Sequence, residues 1–317
     1  MITIVADFLK ESHRPILRDI AEKNHRRIEF YDTPEEARTH LQETEILFAK
    51  DTGLIKDAPR LKWNCTPNAG ADEYCRPGVL PDHVLLTNSS GAYGVTISEH
   101  IIMVILELLR CRQEYAQIIS EKRWIRYLPV RSIHGSRIAI IGTGDLGTEA
   151  AHRLKAFSPA VITGVNRRGR RPDEVYDRII QKDKLNLILK DTDIVVMCLP
   201  GGEATYHYLD EKAIACLPRH AIVINVGRGS NIDQKALIAA LNEGRIAGAA
   251  LDVFEEEPIP GNDPAWNCRN LLITPHISGN MTLDYTVDQC ISMFCEDLNN
   301  YFQGRPLRYQ VDRRLGY

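Results

Sequence analysis

The stretch Ile138-Ala139-Ile140-Ile141-Gly142-Thr143-Gly144-Asp145-Leu146-Gly147 decides the fold. Four apolar residues in a row, three of them β-branched, read as a buried strand. The glycines that follow have the spacing GxGxxG. Such a triplet can arise by accident in a chain of average glycine content, so its setting carries the weight. After it come Leu146, Ala150, Leu154 and Phe157 at helical spacing. In a strand-turn-helix, Gly142 permits the tight turn, Gly144 lets the backbone approach a pyrophosphate, and Gly147 lets helix and strand pack closely. Thr143, Asp145 and Leu146 complete the turn, and the amides at the helix start face the ligand's negative charge.

The next strand, residues 161–165, tells which dinucleotide. An acid at its end would accept the ribose 2′-hydroxyl of NAD. Here the chain reads Asn166-Arg167-Arg168-Gly169-Arg170-Arg171. Asn166 repels no phosphate, and Arg167 and Arg168 can grip one through forked, charge-assisted hydrogen bonds. NADP(H) is therefore the expected cofactor, with NAD(H) possible; the duller reading is a solvated basic loop.

Outward from this point, short β-branched runs alternate with helical patterns, the signature of parallel sheets with crossover helices on both faces. Residues 2–6, 28–31, 46–49, 61–65 and 84–87 read as strands, and Pro34-Glu35-Glu36 as a helix start. One long helix is expected over residues 96–119; it is apolar all round between Ile101 and Leu106. A helix apolar on every side must be covered on every side, between domains or between subunits, and a homodimer is expected. A second series follows: strands at 137–141, 161–165, 193–199, 221–226, 247–251 and 271–274, and helices at 146–157 and 234–242. From 283 to 302 helical spacing returns (Val287, Ile291, Phe294, Leu298), ended by Gly304 and Pro306.

Composition narrows the class. The chain has 317 residues, enough for two domains, and carries a net charge of −3, without the basic excess of a nucleic-acid reader. The apolar run 101–106 is far too short to cross a bilayer, and the start at Met1 shows no leader pattern, so no membrane is expected and a cytoplasmic location is. Eight cysteines include no CxxC pair; they read as reduced core residues, with no metal site.

Three segments carry polar residues at strand ends, where open parallel sheets bind ligands. They are Asn225-Val226-Gly227-Arg228-Gly229, Leu251-Asp252-Val253-Phe254-Glu255-Glu256-Glu257-Pro258, and Thr274-Pro275-His276-Ile277-Ser278-Gly279. With Asn68-Ala69-Gly70-Ala71-Asp72, Ser98-Glu99-His100, the glycine fingerprint and Cys198-Leu199-Pro200, they make the chain resemble the D-isomer-specific 2-hydroxyacid dehydrogenase family over nearly its whole length. Within the family it looks most similar to the NADP-preferring, glyoxylate/hydroxypyruvate-reductase-like members, down to Gly304-Arg305-Pro306-Leu307 and Gly316-Tyr317.

The resemblance implies two doubly wound parallel-sheet domains, a Rossmann cofactor domain (98–283) inserted in a flavodoxin-like substrate domain (1–97 and 284–317), with hinges near Ser98 and Leu283. It also implies roles. Arg228 would hold the carboxylate and polarise the ketone of a 2-oxo acid with its planar fork. His276, whose side-chain type titrates near neutrality, would give the proton to the oxygen at C2 as hydride arrives. Glu257 would orient the ring and stabilise the imidazolium. Asp252 resembles the aspartate near the nicotinamide amide, with a helix cap as its rival. Leu199, Pro200, Thr205, Val226, Gly227 and Gly279 match positions beside the cofactor, although Gly201-Gly202-Glu203-Ala204 departs from the family's usual loop. The amides of Ala69 and Gly70 would hold the substrate carboxylate. The remaining nine histidines have no comparable context.

These residues point to NADPH-dependent reduction of a small 2-oxo acid to the D-2-hydroxy acid. One rival is an enzyme of the 3-phosphoglycerate dehydrogenase kind, which would want extra cations near the substrate loop; Lys50, Arg60 and Lys62 are the candidates. A dinucleotide-sensing corepressor is the other.

Overall fold

The computed structural model describes residues 1–316, so Tyr317 of the closing dipeptide lies outside the described residues. The chain divides into two compact units: Met1–Tyr93 with Asn280–Tyr317, and Gly94–Gly279.

In the first unit β1 (Ile2–Val5), β2 (Ile28–Tyr31), β3 (Ile46–Phe48), β4 (Trp63–Cys65) and β5 (Leu85–Thr87) form an all-parallel sheet in the order β2-β1-β3-β4-β5. This is the flavodoxin-like order, in which ligands sit beyond the carboxyl ends of the strands. Strand residues alternate between faces. Ile2 and Ile4 of β1 join Phe48 and Trp63 on one side, and Val5, Leu47 and Leu86 the other. Two helices cover the first side. Helix α1 (His13–Lys23) buries His13, Leu17, Ile20 and Ala21, and α9 (Asp284–Phe302) sets the Phe294 ring 4.7 Å from Phe48 and 5.4 Å from Trp63. The start at Pro34 forms α2 (Pro34–Ala37), whose Glu36 amide donates to the capping Thr33 hydroxyl before the chain tightens to 3₁₀.

The second unit holds β6 (Arg137–Ile141), β7 (Val161–Val165), β8 (Arg178–Ile180), β9 (Ile194–Met197), β10 (Ile222–Asn225), β11 (Gly248–Leu251) and β12 (Leu271–Ile273). The order is β12-β11-β10-β9-β6-β7-β8, all parallel. Strand order reverses at the β6/β9 pair, the switch point where a doubly wound sheet opens a crevice. Helices α5 (Asp145–Lys155), α6 (Leu185–Leu189), α7 (Glu211–Ala215) and α8 (Gln234–Asn242) are the crossovers. The fold class expected from the sequence is the one observed.

One expected element is different. The helix over residues 96–119 is two helices, α3 (Gly94–Leu109) and α4 (Arg112–Ser120). Cys111 breaks it with φ of +52°, a left-handed conformation that ends an α-helix. Nor is α3 covered on every side. Ile97, Ile101, Val104, Ile105 and Leu109 are buried, whereas Ile102, Leu106 and Leu108 are half-buried and Met103 is exposed. Among the described residues all eight cysteines are free, but only Cys65 and Cys290 are core residues; the other six are half-buried. No helix among the described residues is long and apolar enough to cross a membrane.

Candidate active site

At the carboxyl end of β6 the three fingerprint glycines occupy different surroundings. Gly142 has φ of +100°, and a β-carbon there would stand 2.6 Å from the Cys198 carbonyl at the end of β9. A β-carbon on Gly147 would collide with the Gly142 carbonyl, so this glycine sets the approach of α5 to its strand. On Gly144 it would meet nothing within 4 Å. The one glycine assigned to ligand approach is thus open, at the start of a helix whose first amides are unsatisfied by its own backbone. Asp145 and Leu146 open that helix. A dinucleotide pyrophosphate fits this turn.

The end of β7 is tied to the end of β6: Asn166 Nδ2 donates to Thr143 Oγ1 at 2.8 Å and to the Arg170 carbonyl at 3.0 Å, while its Oδ1 accepts from Gly169 N at 2.7 Å. Both amide hydrogens of Asn166 are therefore spent on shaping the loop. Arg171 is spent too, donating to the Tyr176 and Glu174 carbonyls. Arg167 and Arg168 are exposed, and among the described residues neither guanidinium has a partner. Two unengaged forks beside an asparagine suit a ribose 2′-phosphate.

Arg228, Glu257 and His276 follow three consecutive neighbours in the sheet, with Asn225 in register with Leu251 and Leu251 with Ile273. Beyond β10, Asn225 Nδ2 donates to the Arg228 carbonyl at 2.9 Å and Arg228 N donates to Asn231 Oδ1 at 2.9 Å. The Arg228 guanidinium is half-buried and one of its nitrogens donates to the Gly227 carbonyl at 2.8 Å. Gly227 abuts Leu199, and Gly229 leaves no room for a β-carbon beside the Phe254 carbonyl. The Arg228 loop thus rests on the segment that carries Glu257. Glu257 is fixed at both oxygens: Oε1 accepts from Phe254 N at 2.8 Å and Oε2 lies 2.7 Å from His276 Nδ1. His276 has φ of +53°, and its amide donates to the Asp252 carbonyl at 2.9 Å. The ring is half-exposed.

Asp252 is 2% exposed and gathers the loop that presents His276. Oδ1 accepts from the Thr274 hydroxyl at 2.6 Å and Ile277 N at 2.9 Å, and Oδ2 from Ser278 N at 3.0 Å. Burial pushes this carboxyl up, but the donors from Ser278, Thr274 and Ile277 outweigh it and hold it below the usual aspartate value.

Some contributors were not visible in the sequence. The contact made by His100 of the Ser98-Glu99-His100 motif is one: its Nε2 lies 3.4 Å from Thr274 Oγ1, and burial lowers its basicity. Asn231 is fully buried; besides Arg228 it serves the Pro200 carbonyl at 3.0 Å. The Thr205 hydroxyl donates to the Pro200 and Gly202 carbonyls, clamping its own loop. Val226 is buried, and Gly279 closes the 274–279 segment.

Ala69 and Gly70 belong to the first unit, in the loop after β4. Asn88 Nδ2 donates to the Ala69 carbonyl at 2.6 Å. Among the described residues no acceptor takes the amides of Ala69 and Gly70, leaving two adjacent donors able to hold an anion.

Residues 102–278 match the family model described as D-isomer specific 2-hydroxyacid dehydrogenase, NAD binding domain. A glyoxylate reductase of Thermofilum pendens is 31% identical over 233 residues, 72% of this chain and 68% of its own. A solved D-isomer specific 2-hydroxyacid dehydrogenase family protein of Aeromonas salmonicida is similar with 30% identity and a TM-score of 0.87, over 98% of each chain. The NADPH-dependent glyoxylate/hydroxypyruvate reductase of Sinorhizobium meliloti, solved with NADP and sulfate, has 26% identity and a TM-score of 0.84 over 100% of this chain and 99% of that one.

Proposed function

The chain belongs to the D-isomer specific 2-hydroxyacid dehydrogenase family of NAD(P)-dependent oxidoreductases, and from that premise we propose that it reduces a small 2-oxo acid of the glyoxylate or hydroxypyruvate kind to the D-2-hydroxy acid with NADPH. The observation that carries this reading is the 2.7 Å contact between His276 and Glu257 on the strand end next to the Arg228 loop.

Bound NADPH supplies the hydride. The open position at Gly144, with Thr143, Asp145 and Leu146 around it, takes the pyrophosphate, and Arg167 and Arg168 take the 2′-phosphate beside Asn166. Leu199, Pro200, Thr205, Val226, Gly227, Asp252 and Gly279 line the path to the reacting carbon. Arg228 draws charge onto the ketone oxygen, which lowers the cost of the alkoxide that forms there. His276 has Nδ1 engaged by Glu257, so Nε2 is the nitrogen that delivers the proton to that oxygen. Glu257 fixes the plane of the ring. Each turnover in this direction consumes one proton.

A homodimer is the proposed assembly. No residue of α4 is buried, and the segment after it exposes Trp124 and Tyr127 at 90% and 82%, with Ile119 at 66% and Met103 of α3 at 45%. Large exposed apolar side chains on α3, α4 and the segment after α4 call for a covering surface.

The deciding experiment is NADPH and NADH oxidation assayed across glyoxylate, hydroxypyruvate, pyruvate and bulkier 2-oxo acids. Oxidation of NADPH by the two smallest hydroxy-acid precursors, ahead of NADH, supports the reading; no oxidation with any of them refutes it.

A further inference from the structure

His207 stands where three segments of the second unit meet, and nothing in the mechanism uses it. It follows Thr205 in the loop after β9. Its amide donates to the Ser230 carbonyl at 2.7 Å, in the 3₁₀ turn Gly229–Asn231 that directly follows Arg228. Its ring reaches the third segment: Nε2 lies 2.8 Å from Oε1 of Glu255, two residues before Glu257. Asp233 Oδ2 stands 3.9 Å from Nδ1, so of these two carboxylates Glu255 is the one within hydrogen-bonding distance.

The contact is held from both ends. His207 has φ of +42°, a conformation that residues other than glycine adopt sparingly, and the chain is fastened on either side of it. Before it, the Thr205 carbonyl accepts from Asn231 Nδ2 at 3.3 Å; after it, Leu209 N donates to the Asn231 carbonyl at 3.0 Å. The Tyr206 ring stacks on the imidazole with centroids 4.0 Å apart and planes 12° apart, which restrains its swing. On the other side, Glu255 Oε1 also accepts from Gln234 N at 3.2 Å, and the Glu255 amide donates to Gln234 Oε1 at 3.1 Å.

What this contact anchors is the turn of residues 254–257. Within it, Phe254 N donates to Glu257 Oε1, and Glu257 Oε2 meets His276 Nδ1. The turn lies outside any helix or strand, and Glu255, Glu256 and Glu257 are all exposed. Exposed loop of this kind moves unless it is tied down. The buried Phe254 ties one end, and Glu255 ties the turn to His207 by a hydrogen bond strengthened by the carboxylate charge.

We propose that His207 is a positioning residue: through Glu255 it holds the 254–257 turn where Glu257 can orient His276. This rests on the reading of the chain as a 2-oxo acid reductase and adds a residue to that same site. A displacement of about 1 Å at a catalytic group costs up to about 100-fold, so a slackened turn should cost roughly tenfold in kcat.

The test measures kcat for NADPH-dependent reduction of glyoxylate and hydroxypyruvate, the Kd of NADPH by fluorescence, and circular dichroism. His207→Asn suits the left-handed backbone and is too short to reach Glu255, Glu255→Ala cuts the same contact from the other side, and Glu255→Gln keeps the accepting oxygen. The expected result is a fall in kcat of roughly tenfold in His207→Asn and in Glu255→Ala, with Kd within about threefold of wild type and Glu255→Gln restoring most of the activity. In a Glu257→Gln background the same two substitutions should lower kcat by less than about twofold further, because the group they position is already gone. Unchanged kcat in His207→Asn, a full tenfold loss on top of Glu257→Gln, or a fall in kcat accompanied by loss of the native circular dichroism in both variants overturns the positioning role alone. A wild-type chain that reduces no 2-oxo acid overturns the enzymatic reading beneath it as well.

Discussion

Glu257 Oε2 meets His276 Nδ1 at 2.7 Å while Glu257 Oε1 is held by Phe254 N at 2.8 Å, so the carboxylate cannot swing without breaking a backbone contact. The imidazole is aimed by a group that is itself aimed. Replacing Glu257 with Gln keeps the shape and removes the charge. We expect kcat for 2-oxo acid reduction to fall about 10- to 100-fold, the scale of one charge-assisted hydrogen bond, with KM changing less than about threefold. Steady-state kinetics with NADPH decide it; unchanged kcat would make Glu257 a solvated acid.

Asp252 gives a pH-dependent test. Its carboxyl is held below the ordinary value, because the donors of Ser278, Thr274 and Ile277 outweigh its burial. A carboxylate whose folded-state pKa is depressed stabilises the fold fully above its unfolded value and loses that contribution as pH falls through the folded one. Asp252→Asn should therefore cost about 2–4 kcal/mol in denaturant unfolding at pH 7, and the gap to wild type should close as pH drops below about 4. Equal stabilities at pH 7 would contradict the account of the 274–278 loop.

Among the described residues the Arg167 guanidinium has no partner, so a cofactor phosphate is its proposed one. Arg167→Asp is expected to raise KM for NADPH about 10- to 100-fold while changing KM for NADH by less than about threefold. The comparison is internal to one variant, and equal shifts for both cofactors would reduce the 166–171 segment to a solvated loop.

The exposed aromatic side chains after α4 predict an assembly. Sedimentation should show a dimer for the wild-type chain, and replacing Trp124 and Tyr127 together with Ser should shift it toward monomer with no change in far-ultraviolet circular dichroism. A wild-type chain that sediments as a monomer would leave those side chains without the role given to them here.

What could be read from the sequence follows from which interactions are local. Strands such as Ile138-Ala139-Ile140-Ile141 are buried on both faces, so their β-branched runs stand out, and Gly142, Gly144 and Gly147 sit in the turn their spacing demands. Helix α1 was harder to see, because it buries only four residues and carries Pro15 in its first turn. The strand β8 has three residues, none of them buried, and offers almost no pattern. The break at Cys111 depends on one backbone angle, and no glycine or proline marks it. The work of Asp252 was hidden for a different reason. Its partners are backbone amides 25 and 26 residues later, and sequence spacing says nothing about such contacts. The contact of His100 with Thr274 spans 174 residues and leaves no trace in the spacing.

The central claim is that His276 is the proton donor in a 2-oxo acid reduction. Because its backbone is left-handed, a conformation that asparagine tolerates, His276→Asn removes the imidazole while keeping the loop. The direct measurement is kcat for NADPH-dependent reduction of glyoxylate and hydroxypyruvate by wild type and His276→Asn, with NADPH affinity measured alongside by fluorescence. A fall in kcat of about 10²- to 10⁴-fold with NADPH affinity retained is the predicted result. Turnover within a few-fold of wild type would contradict it.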